Sequence, residues 1–108
     1  MTDKLYVVTR QDLSPGAQAV QSMHAARQYG HDHPEIESEW FEKSNHLCML
    51  SVSDETELRN LVEKAARKGV TFSTFSEPDM NNSLTAAAFE PGEKGRRLCS
   101  GLNLALQT

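Results

Sequence analysis

The sequence predicts an α/β protein, in which a mixed sheet of about four strands is the middle layer of a three-layer sandwich between helices. Three observations lead to this prediction. Short apolar runs of strand length alternate with segments that carry the start and stop signals of helices. The helix predicted at 54–69 is long enough for a crossover between strands, whereas the polar loop at 79–83 allows an antiparallel return. A chain of 108 residues suits one core, so we expect a single domain over residues 1–108.

The composition is typical of a soluble globular protein, with 38% apolar and 24% charged residues. No apolar run reaches membrane-spanning length and Met1–Lys4 does not resemble the start of a signal peptide, so we expect a cytoplasmic protein without a membrane partner. The formal net charge of −4 argues against a generic electrostatic attraction to nucleic acid, but it does not exclude a local basic patch. Cys48 and Cys99 match neither a zinc site nor a disulfide framework.

The first strand and the first helix are predicted from the N-terminal quarter of the chain. Leu5–Val8 is a nearly continuous apolar run, as expected of a central strand covered on both faces. Ser14 suits an N-cap and Pro15 the first helical position, because proline has no N–H to leave unpaired. We expect this helix to run to about Tyr29 and to stop at Gly30, since glycine adopts a left-handed turn easily.

The third helix has the most consistent signals. Ser53 and Asp54 cap its start, acids fill its first turn, bases fill its last turn, and Gly69 ends it, in agreement with the helix macrodipole. Its predicted buried stripe is Leu58, Leu61, Val62 and Ala65. The other predicted elements are a linker at His31–Pro34, a helix at Pro34–Lys43 with Ile36 and Trp40 buried, strands at His46–Val52, Val70–Phe75 and Leu84–Phe89, a loop at Glu77–Ser83, a helix at Glu93–Cys99, and a strand or packed tail at Leu102–Leu106.

A polar face on the first helix is the first candidate site. Gln21, His24 and Gln28 recur at i, i+3 and i+7 and therefore share one face, with Ala17 one turn earlier. A polar face at a strand-to-helix junction is typical of sites in α/β sheets. The alternative, which the spacing alone favours, is a capped helix with a solvated face.

The polar loop between the third and fourth strands is the second candidate site. Asp79 lies in this loop and is followed by Ser83 and Thr85. An aspartate with neighbouring hydroxyl groups can orient or deprotonate a water molecule. The alternative is an Asx-turn, in which Asp79 only caps its own loop.

Metal and thiol chemistry have less support. His31 and His33 flank Asp32, but this spacing matches no closed zinc pattern, so a solvated linker is favoured and we expect neither a metal nor a cofactor. Cys48 is predicted in a buried strand, where burial raises the pKa of a thiol, so it is a poor candidate nucleophile. The sequence contains no glycine-rich phosphate loop and no serine elbow.

Taken together, the motifs resemble those of the type 2 peptidyl-tRNA hydrolase family over nearly the whole chain. The first motif consists of Arg10-x-Asp12-Leu13 after an apolar strand, then Gly16, then Gln21-x-x-His24-Ala25-Ala26. The second consists of Asp79, then Ser83-Leu84-Thr85, then a small apolar strand that ends in Glu90-Pro91. The family has an aspartate, threonine-x-threonine and a strand ending in Gly-Pro at the corresponding places.

The resemblance implies the fold of that family and metal-free hydrolysis of the ester that joins a peptide to the 3′ end of tRNA. Asp79 would orient or activate water, while hydroxyl groups would bind the ester or its oxyanion. The residues implied as catalytic are Asp79, Thr85, Ser83 and His24, and those implied as substrate-binding are Gln21, Arg10 and Gln28. The implied partner is tRNA, and a homodimer is left open.

The chain departs from the family pattern at a lysine-rich turn. The family has a Gly-Lys-Gly-Lys turn, and Pro15 and Ala17 occupy the positions of its two lysines here. The loop between Asp79 and Thr85 is also shorter than in the family. Two alternatives therefore stand beside a peptidyl-tRNA hydrolase: a non-catalytic module that binds tRNA or a protein on the same fold, and a hydrolase of another acyl ester.

Overall fold

The computed structural model describes residues 3–107 and has the predicted α/β architecture. Its elements in chain order are β1 (Lys4–Arg10), α1 (Pro15–Asp32), α2 (Pro34–Lys43), β2 (His46–Val52), α3 (Glu55–Lys68), β3 (Phe72–Glu77), β4 (Ser83–Phe89), α4 (Glu93–Cys99) and β5 (Asn103–Leu104). A single 3₁₀ turn, Pro78–Met80, joins β3 to β4. Within residues 3–107, no helix is long and apolar enough to cross a membrane.

The strands form one mixed sheet in the order β3-β4-β1-β2-β5. β1 and β2 are parallel, and the other neighbouring strands are antiparallel. Helix α1 packs on β4, β3 and β1, and α2 packs on α1. Helix α3 contacts β4 and β1, and α4 contacts β1 and α3. We call the two sides of the sheet the α1 face and the α3 face. The predicted sandwich and mixed sheet are confirmed, and the C-terminal tail adds β5 as a short fifth strand.

Each face of the sheet has its own core. The core on the α3 face includes Val8, Leu58 and Phe89, and the core on the α1 face includes Val7 and Trp40. Successive residues of β1 therefore point to opposite faces, as the period of two in a strand requires. Both faces of the central strands are covered, which explains their nearly continuous apolar sequence.

Helix α1 continues past the predicted stop at Gly30. Alanine at this position would put its Cβ 3.1 Å from Glu37 Cδ, so Gly30 allows a close approach of the α2 side chain to α1. The helix ends instead before His33, whose backbone (φ −130°, ψ 63°) is not helical. Pro34 explains this, because a residue before proline disfavours the helical conformation. His31 and Asp32 thus belong to α1 and not to a linker.

Helix α2 buries only one of the two predicted side chains. Trp40 is 5% exposed and donates from Nε1 to the carbonyl oxygen of Asp3 at 2.9 Å. Ile36 is 37% exposed, so its predicted burial is wrong. Helix α2 packs mainly on α1, and most of the first turn of α2 is exposed.

Strand β3 begins two residues later than predicted, because the end of α3 uses Val70. The N–H groups of Gly69 and Val70 donate to carbonyl oxygens in the last turn of α3 at 3.4 and 3.0 Å. With Gly69 at φ 69°, these bonds form a Schellman motif. The strand runs on to Glu77, which pairs with Ser83 of β4. Of the predicted α3 stripe, only Val62 is half-buried and the other members are buried.

Candidate active site

A bulge in β4 decides which side chains face α1. Phe75 pairs with Ala86 but Ser76 pairs with Leu84, so Thr85 is the extra residue of β4. One extra residue reverses the alternation of side chains along a strand. Leu84 therefore packs in the core of the α3 face, and the Thr85 side chain reaches α1 on the other face.

Three side chains from α1, β3 and β4 form a hydrogen-bond chain. Thr85 Oγ1 donates to Gln21 Oε1 at 2.7 Å, and Gln21 Nε2 donates to Glu77 Oε1 at 2.9 Å. An ionised carboxylate only accepts hydrogen bonds, so the amide nitrogen of Gln21 faces Glu77 and its oxygen faces the hydroxyl of Thr85. Thr85 is fully buried, Gln21 is 3% exposed and Glu77 is half-buried. The hydrogen-bond chain thus leads from the core to a carboxylate near the surface.

The backbone at the start of β4 is held from three directions. Arg10 Nη1 donates to the carbonyl oxygen of Leu84 at 3.0 Å, and Glu55 Oε2 accepts from the Leu84 N–H at 2.7 Å. Thr9 Oγ1 donates to the carbonyl oxygen of Thr85 at 2.9 Å. The hydrogen bond from the Leu84 N–H, together with Arg59, holds the pKa of Glu55 below its usual value of 4.5. These bonds position Thr85 and, through it, Gln21.

Arg10 forms part of this framework. Its Nε and Nη2 donate to the two carboxylate oxygens of Asp12 at 2.9 and 2.8 Å, and its side chain is only 12% exposed. The hydrogen bond to Arg10 lowers the pKa of Asp12 below its usual value of 3.8. The guanidinium group of Arg10, which the family resemblance assigns to substrate binding, thus fastens β1 to its following turn and to β4.

His24 lies at the surface next to the hydrogen-bond chain. It follows Gln21 by one turn of α1, and its ring stacks on Phe75 with centroids 4.3 Å apart and planes 9° apart. Phe75 precedes Glu77 by two residues and lies on the same face of β3. The structure therefore brings His24, Gln21, Glu77 and Thr85 together from separate elements.

Asp79 lies in the same turn as Glu77 but outside the hydrogen-bond chain. It is exposed in the 3₁₀ turn, and its backbone N–H donates to Glu77 Oε2 at 3.4 Å. The carboxylate that caps the turn is therefore that of Glu77. Ser83 is half-buried where β4 begins and pairs with Glu77 across the ladder.

Gln28 and Ala17 are not part of the hydrogen-bond chain of Thr85, Gln21 and Glu77. Gln28 Nε2 donates to Asp32 Oδ1 at 2.9 Å, and Ser73 Oγ donates to the other oxygen of Asp32 at 2.7 Å. The first bond lies within α1, and the second ties the end of α1 to β3, about three turns away from Gln21. The N–H of Ala17 donates to the N-cap hydroxyl of Ser14 at 3.3 Å, and the methyl group of Ala17 supplies no charge at this end of α1.

Glu77 is a functional candidate that the sequence motifs do not indicate, since the sequence predicts this residue in a polar loop. The signal that points to it is the alternation of Ser73, Phe75 and Glu77, which continues the α1-facing side of the third strand past its predicted end. Among residues 3–107, no cluster of three or more histidine, cysteine, aspartate or glutamate side chains is arranged to hold a metal ion. Burial raises the pKa of the Cys99 thiol to about 12, which makes it a poor nucleophile.

Comparisons with known proteins bear on this site. A family model described as Peptidyl-tRNA hydrolase PTH2 matches residues 3–97, a range that contains every residue of the hydrogen-bond chain. No curated protein matches the chain. Among solved structures, the chain is similar to Atu0240, a protein of unknown function from Agrobacterium tumefaciens strain C58, with a TM-score of 0.70. The similarity covers 96% of this chain and 98% of that one at 14% identity, so it concerns the fold alone.

Proposed function

The chain belongs to the Peptidyl-tRNA hydrolase PTH2 family, and from this membership we propose that it hydrolyses the ester between a peptide, or an N-blocked amino acid, and the 3′ end of tRNA. The hydrogen-bond chain of Thr85, Gln21 and Glu77 is the observation that carries the proposal. It holds one carboxylate in a fixed orientation near an exposed imidazole. Ester hydrolysis needs a positioned water molecule and hydrogen-bond donors for the developing oxyanion.

Glu77 is the carboxylate of the proposed mechanism. Its Oε1 accepts a hydrogen bond from Gln21, while its Oε2 receives, from residues 3–107, only a long bond from the Asp79 N–H and can accept a further hydrogen bond from water. The water oxygen attacks the ester carbonyl carbon, and the proton it loses passes by way of Glu77 to the departing 3′ oxygen of the tRNA. One bond between carbon and oxygen forms and one breaks, so no cofactor is required.

The other residues have two kinds of role in this proposal. The family resemblance implies that Thr85 contacts the ester, but because Thr85 is fully buried we assign it a different role. Thr85 and Gln21 are positioning residues that orient Glu77. His24 is exposed and supplies a donor to the oxyanion or to the terminal ribose. Asp79 and Ser83, at the edge of the same turn, are the remaining candidates for contact with the tRNA end.

Release of the N-blocked amino acid from N-acetyl-aminoacyl-tRNA by the purified protein tests the proposal. We expect hydrolysis, and we expect Gln21→Leu to lower kcat/KM by about tenfold or more, because one lost charge-assisted hydrogen bond is worth about 1.5–3 kcal/mol. Gln28→Leu is the matched variant on the same helix and should leave kcat/KM nearly unchanged. The thermal midpoints of both variants check that they fold.

A folded protein that releases no N-blocked amino acid contradicts the proposal, as does equal turnover by Gln21→Leu and the parent. The absence of a cation at Pro15 and Ala17 favours a second candidate, a module that binds tRNA without hydrolysing it. Retention of tRNA on a filter without turnover would identify that module. Hydrolysis of small acyl esters without affinity for tRNA would indicate a different substrate.

A further inference from the structure

A cleft of about 340 Å³ between α3 and α4 is lined mainly by cations. Its lining residues are Lys64, Lys68, Val70, Lys94, Arg97 and Leu98. The two apolar members are buried and form its floor, and no acidic residue contributes to the lining. The cleft is therefore an open, positively charged surface on a protein whose formal net charge is −4.

Positive charge is concentrated around this cleft. The segments 64–68 and 94–97 contain six of the 11 lysines and arginines of the chain and no acid. Helix α2, which lies on the opposite face of the sheet, carries four glutamates and one lysine. An anionic polymer near this protein is thus attracted to the α3 face and repelled from the α2 side, which sets its orientation.

Stabilisation of helices does not explain all of these cations. Lys64 and Lys68 lie near the C-terminus of α3, where the helix dipole favours positive charge. Lys94 lies in the first turn of α4, where the dipole disfavours it. The ion pairs of the described part of the chain include Arg97, which binds Glu93 at 3.0 Å, but none of the three lysines.

We propose that this cleft binds the phosphate backbone of the tRNA body while the 3′ end of the same tRNA occupies the candidate active site; this inference rests on the proposed function. The cleft lies at the C-terminal end of α3, whereas the candidate active site lies on the other face of the sheet, next to the strand that the N-terminal end of α3 contacts. Glu55, at one end, bonds to the strand that carries Thr85, and a rise of 1.5 Å per residue puts Lys64 and Lys68 roughly 14 and 20 Å away along the helix. Lysines spaced over such a surface suit a chain of phosphates better than a single anion.

Filter binding of uncharged tRNA over a range of salt concentrations tests the proposal directly. The triple variant Lys64→Gln, Lys68→Gln, Lys94→Gln removes three cleft cations. The control, Lys4→Gln, Arg27→Gln, Lys43→Gln, removes three exposed cations elsewhere and has the same net charge. We expect the cleft variant to bind tRNA about tenfold or more weakly and the slope of log K against log salt to fall by about 3, whereas the control changes little.

A second measurement separates this inference from the proposed function. In the cleft variant, kcat/KM should be lower than in the parent for full-length N-acetyl-aminoacyl-tRNA. The kcat/KM for the same N-acetyl-aminoacyl ester on a CCA trinucleotide should not change, because that substrate is too short to reach the cleft. If the protein hydrolyses neither substrate, the proposed function fails, and the tRNA affinity still decides the role of the cleft.

Equal tRNA affinity and salt slope in the two triple variants would overturn the inference. So would an equal loss of kcat/KM on the trinucleotide, or a cleft variant that loses binding only to vesicles of anionic phospholipid. If the triple variant does not fold, Lys94→Gln alone replaces it, since that side chain is exposed in the first turn of α4. The slope should then fall by about 1.

Discussion

Gln21 satisfies both halves of its amide in the interior of the protein. It accepts from Thr85 and donates to Glu77, and a buried polar atom that loses its partner costs about 1–3 kcal/mol. The polar face predicted for α1 therefore has two environments. Gln21 packs toward the sheet, His24 is exposed, and Gln28 bonds to its own helix.

Glu77→Gln and Asp79→Asn separate the two carboxylates of the turn. Each change removes one charge with little change of shape. We expect Glu77→Gln to lower kcat/KM on N-acetyl-aminoacyl-tRNA by about 100-fold or more, in the range of a lost general base, and Asp79→Asn to lower it less than tenfold. Steady-state kinetics at pH 7 give both values.

A larger loss of kcat/KM in Asp79→Asn than in Glu77→Gln would assign the activation of water to Asp79, as the family resemblance implies. Both variants should keep the thermal midpoint of the parent, because Asp79 is exposed and Glu77→Gln retains an acceptor for Gln21. A variant that unfolds would show a structural role for that residue.

The sequence could place Gln21, His24 and Thr85 as candidates because each lies in a recognisable motif. It could not show which carboxylate joins them. That depends on the register between β3 and β4, and a one-residue bulge at Thr85 leaves no local signal in a run of small residues. Asp79, in a segment rich in proline and asparagine, looks more like a site residue than Glu77, which is the last residue of a strand.

At the scale of elements, the bounds predicted for α2, β2 and α4 are confirmed, because local signals and packing agree there. The bounds of α1 and β3 differ from prediction for tertiary reasons. Gly30 serves the contact with Glu37 and not a turn, and Val70 serves the cap of α3. Such contacts between distant segments cannot be inferred from helix or strand periodicity.

Two glycines in helices should respond in opposite ways to alanine. A Cβ on Gly95 would lie 2.0 Å from the carbonyl oxygen of Glu90, so α4 would have to move off the backbone on which it packs. We expect Gly95→Ala to lower the free energy of unfolding by about 1–3 kcal/mol. A Cβ on Gly16 would have no neighbour within 4 Å, and Gly16→Ala should raise the free energy of unfolding by about 0.4–1 kcal/mol.

Urea denaturation of the two alanine variants measures both effects. Stability equal to the parent in Gly95→Ala would mean that α4 does not depend on its contact with the backbone of Glu90. Because Lys94 and Arg97 of the cleft lie on α4, the same variant should also weaken tRNA binding if the cleft is the docking surface.

At the scale of the whole molecule, a few carboxylates connect elements on both faces of the sheet. Glu55 joins the first turn of α3 to the backbone of β4, and Asp32 joins the last turn of α1 to β3 through Ser73. Hydrogen bonds lower the pKa of both carboxylates below their usual values. The same two carboxylates therefore connect the layers of the sandwich and make the stability of the protein depend on pH.

The stability of the protein should fall in acid, and Glu55 should account for part of that fall. A pKa lower in the folded than in the unfolded protein gives stability that is present above the usual value, 4.5 for Glu55, and is lost as the pH decreases through the folded value. We expect the free energy of unfolding to be nearly constant from pH 7 to about pH 5 and to decrease below about pH 4.5.

Glu55→Gln should be less stable than the parent at pH 7, and this difference should shrink toward pH 3. Urea denaturation at pH 7, 5, 4 and 3 measures this difference in the free energy of unfolding, with Glu63→Gln on the same helix as the control. A difference that stays constant over this range would show that the bond from Glu55 to Leu84 does not depend on the charge of the carboxylate.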